Sequence, residues 1–255
     1  MRKEFYCLFW DLDDKLILPC IYMQLLRRNL LEYWLKWKNK WKYWIRKIIN
    51  DNKGSILNER IVNRDTRIES IEWLSPIKGE NYREYMLNSP YLLEKLNNNG
   101  FPLKKEDLSF WPQREPVWDW IGLATMKDTQ EKMIILVENK SSIKELRSKL
   151  ESTNENNKRL ILDSMRETYD ELGIKGDFNK WFDTYYQIAN RVTFMHQLMK
   201  KGYKVKLVFL NIVDDYMYKN ISKYQWVEEY CKMLNELMGD LFVPRDALII
   251  DLNVH

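Results

Sequence analysis

The feature that most constrains the fold of this chain is an apolar run, residues 133–137, that ends in Glu138-Asn139-Lys140. A short apolar run bounded by polar residues is typical of a buried β-strand. A second apolar stretch lies upstream and carries Asp119. The sequence therefore predicts two buried strands, one with an acid and the next with an acid and a lysine.

The spacing of these two strands predicts where their charged residues meet. If residues 117–125 pair with residues 132–139 as a hairpin, Asp119 falls opposite the far end of the second strand, near Glu138. Side chains alternate between the faces of a strand, so Glu138 and Lys140 point the same way. Two carboxylates and one ammonium group are then expected within reach of a single ion.

Two interpretations of this charged group are open. Carboxylates beside a lysine can hold a divalent metal against a phosphodiester and prepare a water molecule for attack. A carboxylate–lysine pair at a strand end is also an ordinary surface feature of a chain in which 31% of the residues are charged. The Glu-x-Lys pattern by itself does not decide between them.

Several short blocks around this group keep a fixed order along the chain, from about residue 70 to about residue 215. The blocks are Trp73-Leu74-Ser75-Pro76, Tyr82-Arg83-Glu84-Tyr85, Phe110-Trp111-Pro112, Pro116-Val117-Trp118-Asp119, Leu136-Val137-Glu138-Asn139-Lys140 and Tyr185-Tyr186-Gln187-Ile188-Ala189-Asn190-Arg191. This series resembles an uncharacterised bacterial family within the PD-(D/E)XK nuclease superfamily. Members of that family usually have Gly-Pro before the Trp-Asp and Ala inside the Glu-x-Lys, where this chain has Glu115-Pro116 and Asn139.

The resemblance implies a phosphodiesterase that depends on Mg²⁺ or Mn²⁺ and acts on nucleic acid, with DNA favoured over RNA. Asp119 and Glu138 would bind the metal, with the Asn139 carbonyl as a third ligand. Lys140 would orient or activate the attacking water. The implied fold is α/β, a restriction-endonuclease-like mixed sheet flanked by helices.

Superfamily members often add an acid from a helix that precedes the sheet. Glu84 is the candidate here, and Glu80 and Glu94 are its rivals. A solvated helix face is the alternative interpretation of Glu84. Residues 81–97 are expected to be helical, with Pro90 marking a bend or a break into two helices.

The block at residues 185–191 predicts a second group of contacts. Gln187 and Arg191 are four residues apart and share one face of an expected helix. By the resemblance they are candidates, with Tyr186 and Asn190, for contacts to phosphate or to metal-bound water. The alternative is a hydrogen-bonding pair on the surface.

The chain is expected to divide into an N-terminal helical extension, residues 1–69, and a nuclease-like domain, residues 70–255. The extension contains a predicted amphipathic helix over about residues 24–49, with tryptophans at spacings of three and four and lysines opposite them. Packing on the core or on a dimer partner is the preferred interpretation, because exposed indoles are unfavourable. A nucleic-acid contact and a membrane-surface contact are the alternatives.

Less distinctive segments are predicted from local patterns. Residues 51–67 are polar and predict a loop or linker. The superfamily core has another strand before the Asp-bearing one, and residues 107–111 are the weak candidate for it. Residues 204–213 alternate in polarity and predict a strand with one wetter end.

Composition limits the location and partners of the chain. The 41 basic and 37 acidic residues give a net charge of +4, too small to indicate nucleic-acid binding by itself. Three scattered cysteines match a reducing cytoplasm, and the sequence has no apolar run long enough to predict a membrane span.

A homodimer is a candidate assembly, because cutting both strands of a duplex needs two sites or two turnovers. The alternative function is a non-cleaving, nuclease-like module that binds nucleic acid or protein in a defence or repair system.

Overall fold

The computed structural model describes residues 40–215 and 219–253. The chain divides into two compact units, Met1–Tyr43 and Trp44–His255, and nearly all of the described residues lie in the second. The tryptophan- and lysine-rich helix predicted over residues 24–49 falls largely outside the described residues.

A five-stranded mixed sheet forms the centre of the described unit, in the order β1-β2-β3-β4-β5. The strands are β1 Ile68–Ser75, β2 Trp120–Met126, β3 Lys132–Lys140, β4 Val205–Val213 and β5 Ala247–Asn253. Strands β1, β2 and β3 are antiparallel neighbours, whereas β3, β4 and β5 are parallel. The parallel strands bring their carboxyl ends, including that of β3, to one edge of the sheet.

Helices flank this sheet, and the α/β class predicted from the sequence is confirmed. They are α1 Lys40–Asn50, α2 Ser55–Val62, α3 Pro90–Asn98, α4 Glu155–Glu171, α5 Phe178–Asp183, α6 Tyr186–Lys200 and α7 Lys223–Met238. Helix α6 packs on β4 and is covered by α4 and α5, so most of its residues are buried. None of the helices in the described residues has the length and apolar character that crossing a bilayer requires.

Two elements near the start of the described unit differ from the sequence-based expectation. Residues 51–67, expected to be a loop, contain helix α2, which lies against β1. The strand that precedes the Asp-bearing one is β1. Residues 107–111 are not a strand: they form the end of a short 3₁₀ helix, Lys105–Leu108, and the turn after it. Strand β1 was missed because register irregularities near both of its ends interrupt the alternation of apolar and polar residues.

The helix predicted over residues 81–97 is shorter than expected. Asn81 and Tyr82 have φ angles of 52° and 56°, which a right-handed helix does not accommodate. Helix α3 begins only at Pro90, whose fixed φ suits the first helical position. Glu84 therefore lies on an extended segment and not on a helix.

Candidate active site

The β2–β3 hairpin places Asp119 beside Glu138. Trp120 pairs with Val137, and the same antiparallel register sets the preceding Asp119 opposite Glu138. The hairpin predicted from the sequence is thus confirmed. The Asn139 N–H donates to Asp119 Oδ2 at 2.7 Å, which holds this carboxylate against the end of β3.

Glu138 lies between two cations. Lys140 Nζ donates to its Oε1 at 2.7 Å, and Arg191 Nε donates to its Oε2 at 2.7 Å. All three side chains are buried, and that of Lys140 is only 2% exposed. Glu138 and Lys140 lie on one face of β3, as strand alternation predicts.

Helix α6 supplies the other half of the charged group. Gln187 Oε1 accepts a hydrogen bond from Lys140 Nζ at 2.8 Å, so both contacts of this ammonium group are to carbonyl or carboxylate oxygens. Arg191 also donates to the Val117 carbonyl at 2.8 Å and lies 4.4 Å from the centre of the Trp118 ring. Gln187 and Arg191 share a helix face as expected, and that face meets the sheet rather than solvent. Sequence reasoning missed the cation–π contact, because no spacing pattern links Trp118 to Arg191.

The two carboxylates differ in protonation. Burial, together with the nearby charge of Glu138, raises the pKa of Asp119 to about 8. Burial also acts to raise the pKa of Glu138, but the charges of Arg191 and Lys140 outweigh it and hold that pKa below its usual range. Two cations face the one carboxylate whose pKa is lowered, which leaves the group with more positive than negative charge.

Asp119 and Glu138 offer carboxylate oxygens, which are the ligand type that hard divalent cations take. Asp119 is half-buried, and its Oδ1 accepts no hydrogen bond from the described residues. Within residues 40–215 and 219–253, no three His, Cys, Asp or Glu side chains are grouped to hold a metal ion. A cation beside Asp119 and Glu138 would need backbone or water oxygens as well, which hard cations accept readily. The Asn139 side chain is buried and finds no hydrogen-bond partner among the described residues.

The three candidates for the additional acid separate clearly in space. Tyr85 and Trp118 form an antiparallel bridge, so the backbone of Glu84 lies next to that of Asp119. Glu80 is engaged elsewhere, by Lys95 Nζ at 2.7 Å. Glu94 is exposed on α3. Glu84 alone among the three has its backbone beside Asp119, although it reaches that place from a loop.

A cleft of about 660 Å³ opens beside the charged group. Tyr186, Gln187, Asn190 and Arg191 all line it, so the four residues of α6 singled out by sequence meet one space. Glu115 also lines the cleft and is 5% exposed. The Asn88 N–H donates to Glu115 at 3.0 Å, yet burial raises the pKa of this carboxyl to about 7.

Replacing Glu115 by Gln should stabilise the protein at pH 8. The folded-state pKa lies above the ordinary value of 4.5, so the contribution of Glu115 to stability is largest below that value and is lost as the pH rises through about 7. We expect the free energy of unfolding of Glu115→Gln to exceed that of the wild type by about 1–3 kcal/mol at pH 8 and by much less at pH 5. Denaturant unfolding at the two pH values measures this difference, and Glu151→Gln, at an exposed position on the same cleft, is the control. Equal stabilities of Glu115→Gln and wild type at pH 8 would contradict the prediction.

No protein-family model, curated protein or solved structure matches this chain. The chemistry of the site has to follow from its own residues. Asp119, just before β2, meets Glu138 and Lys140 of β3 at one edge of the sheet. Gln187 and Arg191 of α6 contact Lys140 and Glu138 there and also line the cleft.

Proposed function

We propose that this protein is a metal-dependent phosphodiesterase that cleaves nucleic acid, with DNA as its preferred substrate. The observation that carries the proposal is the convergence of Asp119 with the buried Glu138–Lys140 pair at the end of the β2–β3 hairpin. The five-stranded mixed sheet with flanking helices is compatible with a restriction-endonuclease-like fold. Three of the ordered blocks that resemble the PD-(D/E)XK superfamily supply the residues that meet here: Asp119, Glu138 with Lys140, and Gln187 with Arg191.

The residues have distinct roles in this proposal. Asp119 and Glu138, with the Asn139 carbonyl, would hold Mg²⁺ or Mn²⁺, and Glu84 is the candidate for a further acid. A bound metal would polarise the phosphate and lower the pKa of a coordinated water. Lys140 orients the attacking water and offsets the charge that develops on the phosphate, as fixed cations do in a site that excludes bulk water.

Helix α6 supports these groups. Arg191 holds Glu138 through two nitrogens and is itself fixed by the Val117 carbonyl and the Trp118 ring, so the carboxylate cannot rotate freely. Gln187 Oε1 accepts a second hydrogen bond from the Lys140 ammonium group. Positioning of this kind keeps reacting groups in a productive geometry before the substrate arrives.

One observation favours the alternative of a non-cleaving binding module. Both oxygens of Glu138 are already engaged by cations, as in a buried ion-pair network that has only a structural role. In that case the excess positive charge of the site would bind a phosphate backbone without cutting it.

A cleavage assay separates the two functions. The wild-type protein is incubated with duplex DNA, single-stranded DNA and RNA in Mg²⁺, Mn²⁺ or EDTA, and the products are resolved by denaturing electrophoresis. We expect cleavage of at least one substrate, DNA foremost, in Mg²⁺ or Mn²⁺ and none in EDTA. Binding to these substrates with no cleavage under any metal condition would favour the non-cleaving module.

A further inference from the structure

The cleft shares two residues with the candidate active site. Gln187 and Arg191 form part of its wall and at the same time contact Lys140 and Glu138. Its volume of about 660 Å³ lies within the range of about 300–1,000 Å³ that is usual for small-ligand pockets. An unstacked nucleotide fits such a space and a base-paired duplex does not. A base in this cleft would belong to a nucleotide whose phosphate lies close to the candidate active site.

The walls of the cleft suit a flat aromatic ring. Polar and apolar side chains both line it. Several apolar and aromatic ones come from the segment before β2 and from the start of α6. They are Trp111, Pro112, Pro116, Val117 and Tyr186. Aromatic side chains provide stacking surfaces for bases that are not paired in a duplex.

Glu115 is a buried carboxylate among the polar residues that line this cleft. Glu115 receives the Asn88 N–H and, among the described residues, forms no ion pair. The Leu87 backbone N–H also acts on this carboxylate. A carboxylate has about four acceptor positions, so about two of those on Glu115 remain for a ligand. Because burial raises the pKa of this group, N–H donors from a ligand would stabilise its charged form. The other acid on the cleft, Glu151, is exposed.

We infer that this cleft binds an unpaired guanine base of a nucleic-acid strand, with Glu115 accepting hydrogen bonds from its N1–H and N2–H groups. Guanine presents two adjacent N–H donors on its Watson–Crick edge. Adenine and cytosine present an acceptor nitrogen next to their amino group, and thymine has carbonyl groups on both sides of its N–H, so each of them repels a carboxylate there. The inference rests on the proposed function, which supplies nucleic acid as the ligand class.

Binding measured without metal tests the inference independently of cleavage. The probes are short fluorescein-labelled oligothymidine strands that contain one central dG, one deoxyinosine or no substitution, in EDTA at pH 8. Fluorescence anisotropy should show about tenfold tighter binding of the wild-type protein to the dG strand than to the unsubstituted strand. Deoxyinosine lacks the N2 amino group and should lose most of that preference. Glu115→Gln should remove it, because an amide cannot accept both donors as a carboxylate does.

The matched control is Glu151→Gln, which makes the same charge change on the same cleft and should keep the preference for dG. Equal binding of all strands by the wild type, or a preference that survives Glu115→Gln, would overturn the inference. Competition by free dGMP at the concentration of the strand would also overturn it, because the ligand would then be a mononucleotide. A dG preference without metal-dependent cleavage would reject the nuclease alone, and cleavage without a dG preference would reject the guanine pocket alone.

Discussion

Replacement of Asp119 by Asn is expected to lower metal-dependent cleavage by at least about 10²–10³-fold, while the protein remains as stable as the wild type. The substitution removes a carboxyl group that a bound metal would hold in its charged form. It keeps the size of the side chain, and the Asn oxygen can still accept the Asn139 N–H. Burial already disfavours the charged form of Asp119, so a neutral side chain should not destabilise the fold. Initial rates at saturating Mg²⁺ and the midpoint of thermal unfolding give the two quantities.

The control for this variant is Asp128→Asn, which makes the same chemical change in the exposed turn of the same hairpin. Its cleavage rate and its unfolding midpoint should both match those of the wild type. Cleavage at the wild-type rate by Asp119→Asn would exclude Asp119 as a metal ligand. A stable but inactive Asp119→Asn, beside an active Asp128→Asn, would assign the loss to the chemistry of the site.

Asp119 is a sharper target than Glu138. Removing the Glu138 carboxylate would leave Lys140 and Arg191 buried without their counter-charge. Breaking a buried ion pair in this way costs about 3–5 kcal/mol, so an inactive Glu138→Ala protein could simply be unfolded. Asp119 lies outside this ion-pair network, so a loss of activity on its substitution reports on the chemistry of the site.

Local geometry explains why the centre of the site could be predicted from the sequence. Alternation along β3 is enough to set Glu138 and Lys140 on one face, and the hairpin register is enough to bring Asp119 opposite Glu138. Helical spacing likewise predicts that Gln187 and Arg191 share a face. Both periodicities are properties of the backbone and need no knowledge of the rest of the fold.

The partners of these residues depend on tertiary packing, which the spacing does not contain. Nothing in the sequence states that the α6 face meets Glu138 and Lys140, because this contact follows from the packing of α6 against the sheet. The position of Glu84 also depends on tertiary packing that residue spacing does not predict. Its expected place on a helix is wrong, and it reaches the neighbourhood of Asp119 through an isolated bridge between Tyr85 and Trp118.

Lys206 shows why charged residues in strands mislead sequence-based reasoning. The alternating pattern of residues 204–213 predicts a strand with one wetter end, and Lys204 just before β4 is exposed. Every residue of β4 itself is buried, however, and Lys206 is 2% exposed. Its Nζ lies 2.9 Å from Asp65 Oδ2 and 3.0 Å from Asp246 Oδ1. A lysine is almost never fully buried unless it is paired, and these partners come from segments that are distant in sequence.

Asp65 is the main counter-charge of this cluster. Its hydrogen bonds with Arg67, and the nearby Lys206, outweigh burial and hold the pKa of its carboxyl well below the ordinary value of 3.8. Its contribution to stability is therefore present above that value and is lost as the pH falls below it. The cluster lies near the amino end of β4, where Lys206 pairs with Ile135, whereas Lys140 of the candidate site pairs with Asn211 further along β4.

Replacement of Asp65 by Ala is expected to lower the free energy of unfolding by about 3–5 kcal/mol at pH 7, because it leaves Lys206 buried beside a single, more exposed acid. Denaturant unfolding measures the loss, and Asp163→Ala, which breaks an exposed ion pair with Arg159, should change stability by less than about 1 kcal/mol. Adding Lys206→Met to Asp65→Ala should recover much of the loss, because the stranded charge is then gone and an apolar side chain fills its place. If the double variant is no more stable than Asp65→Ala, the loss comes from packing around Asp65 and not from the unpaired lysine. Asp65→Ala and Lys206→Met should leave the cleavage rate of the folded protein unchanged, since neither residue contacts the ion pairs of Glu138.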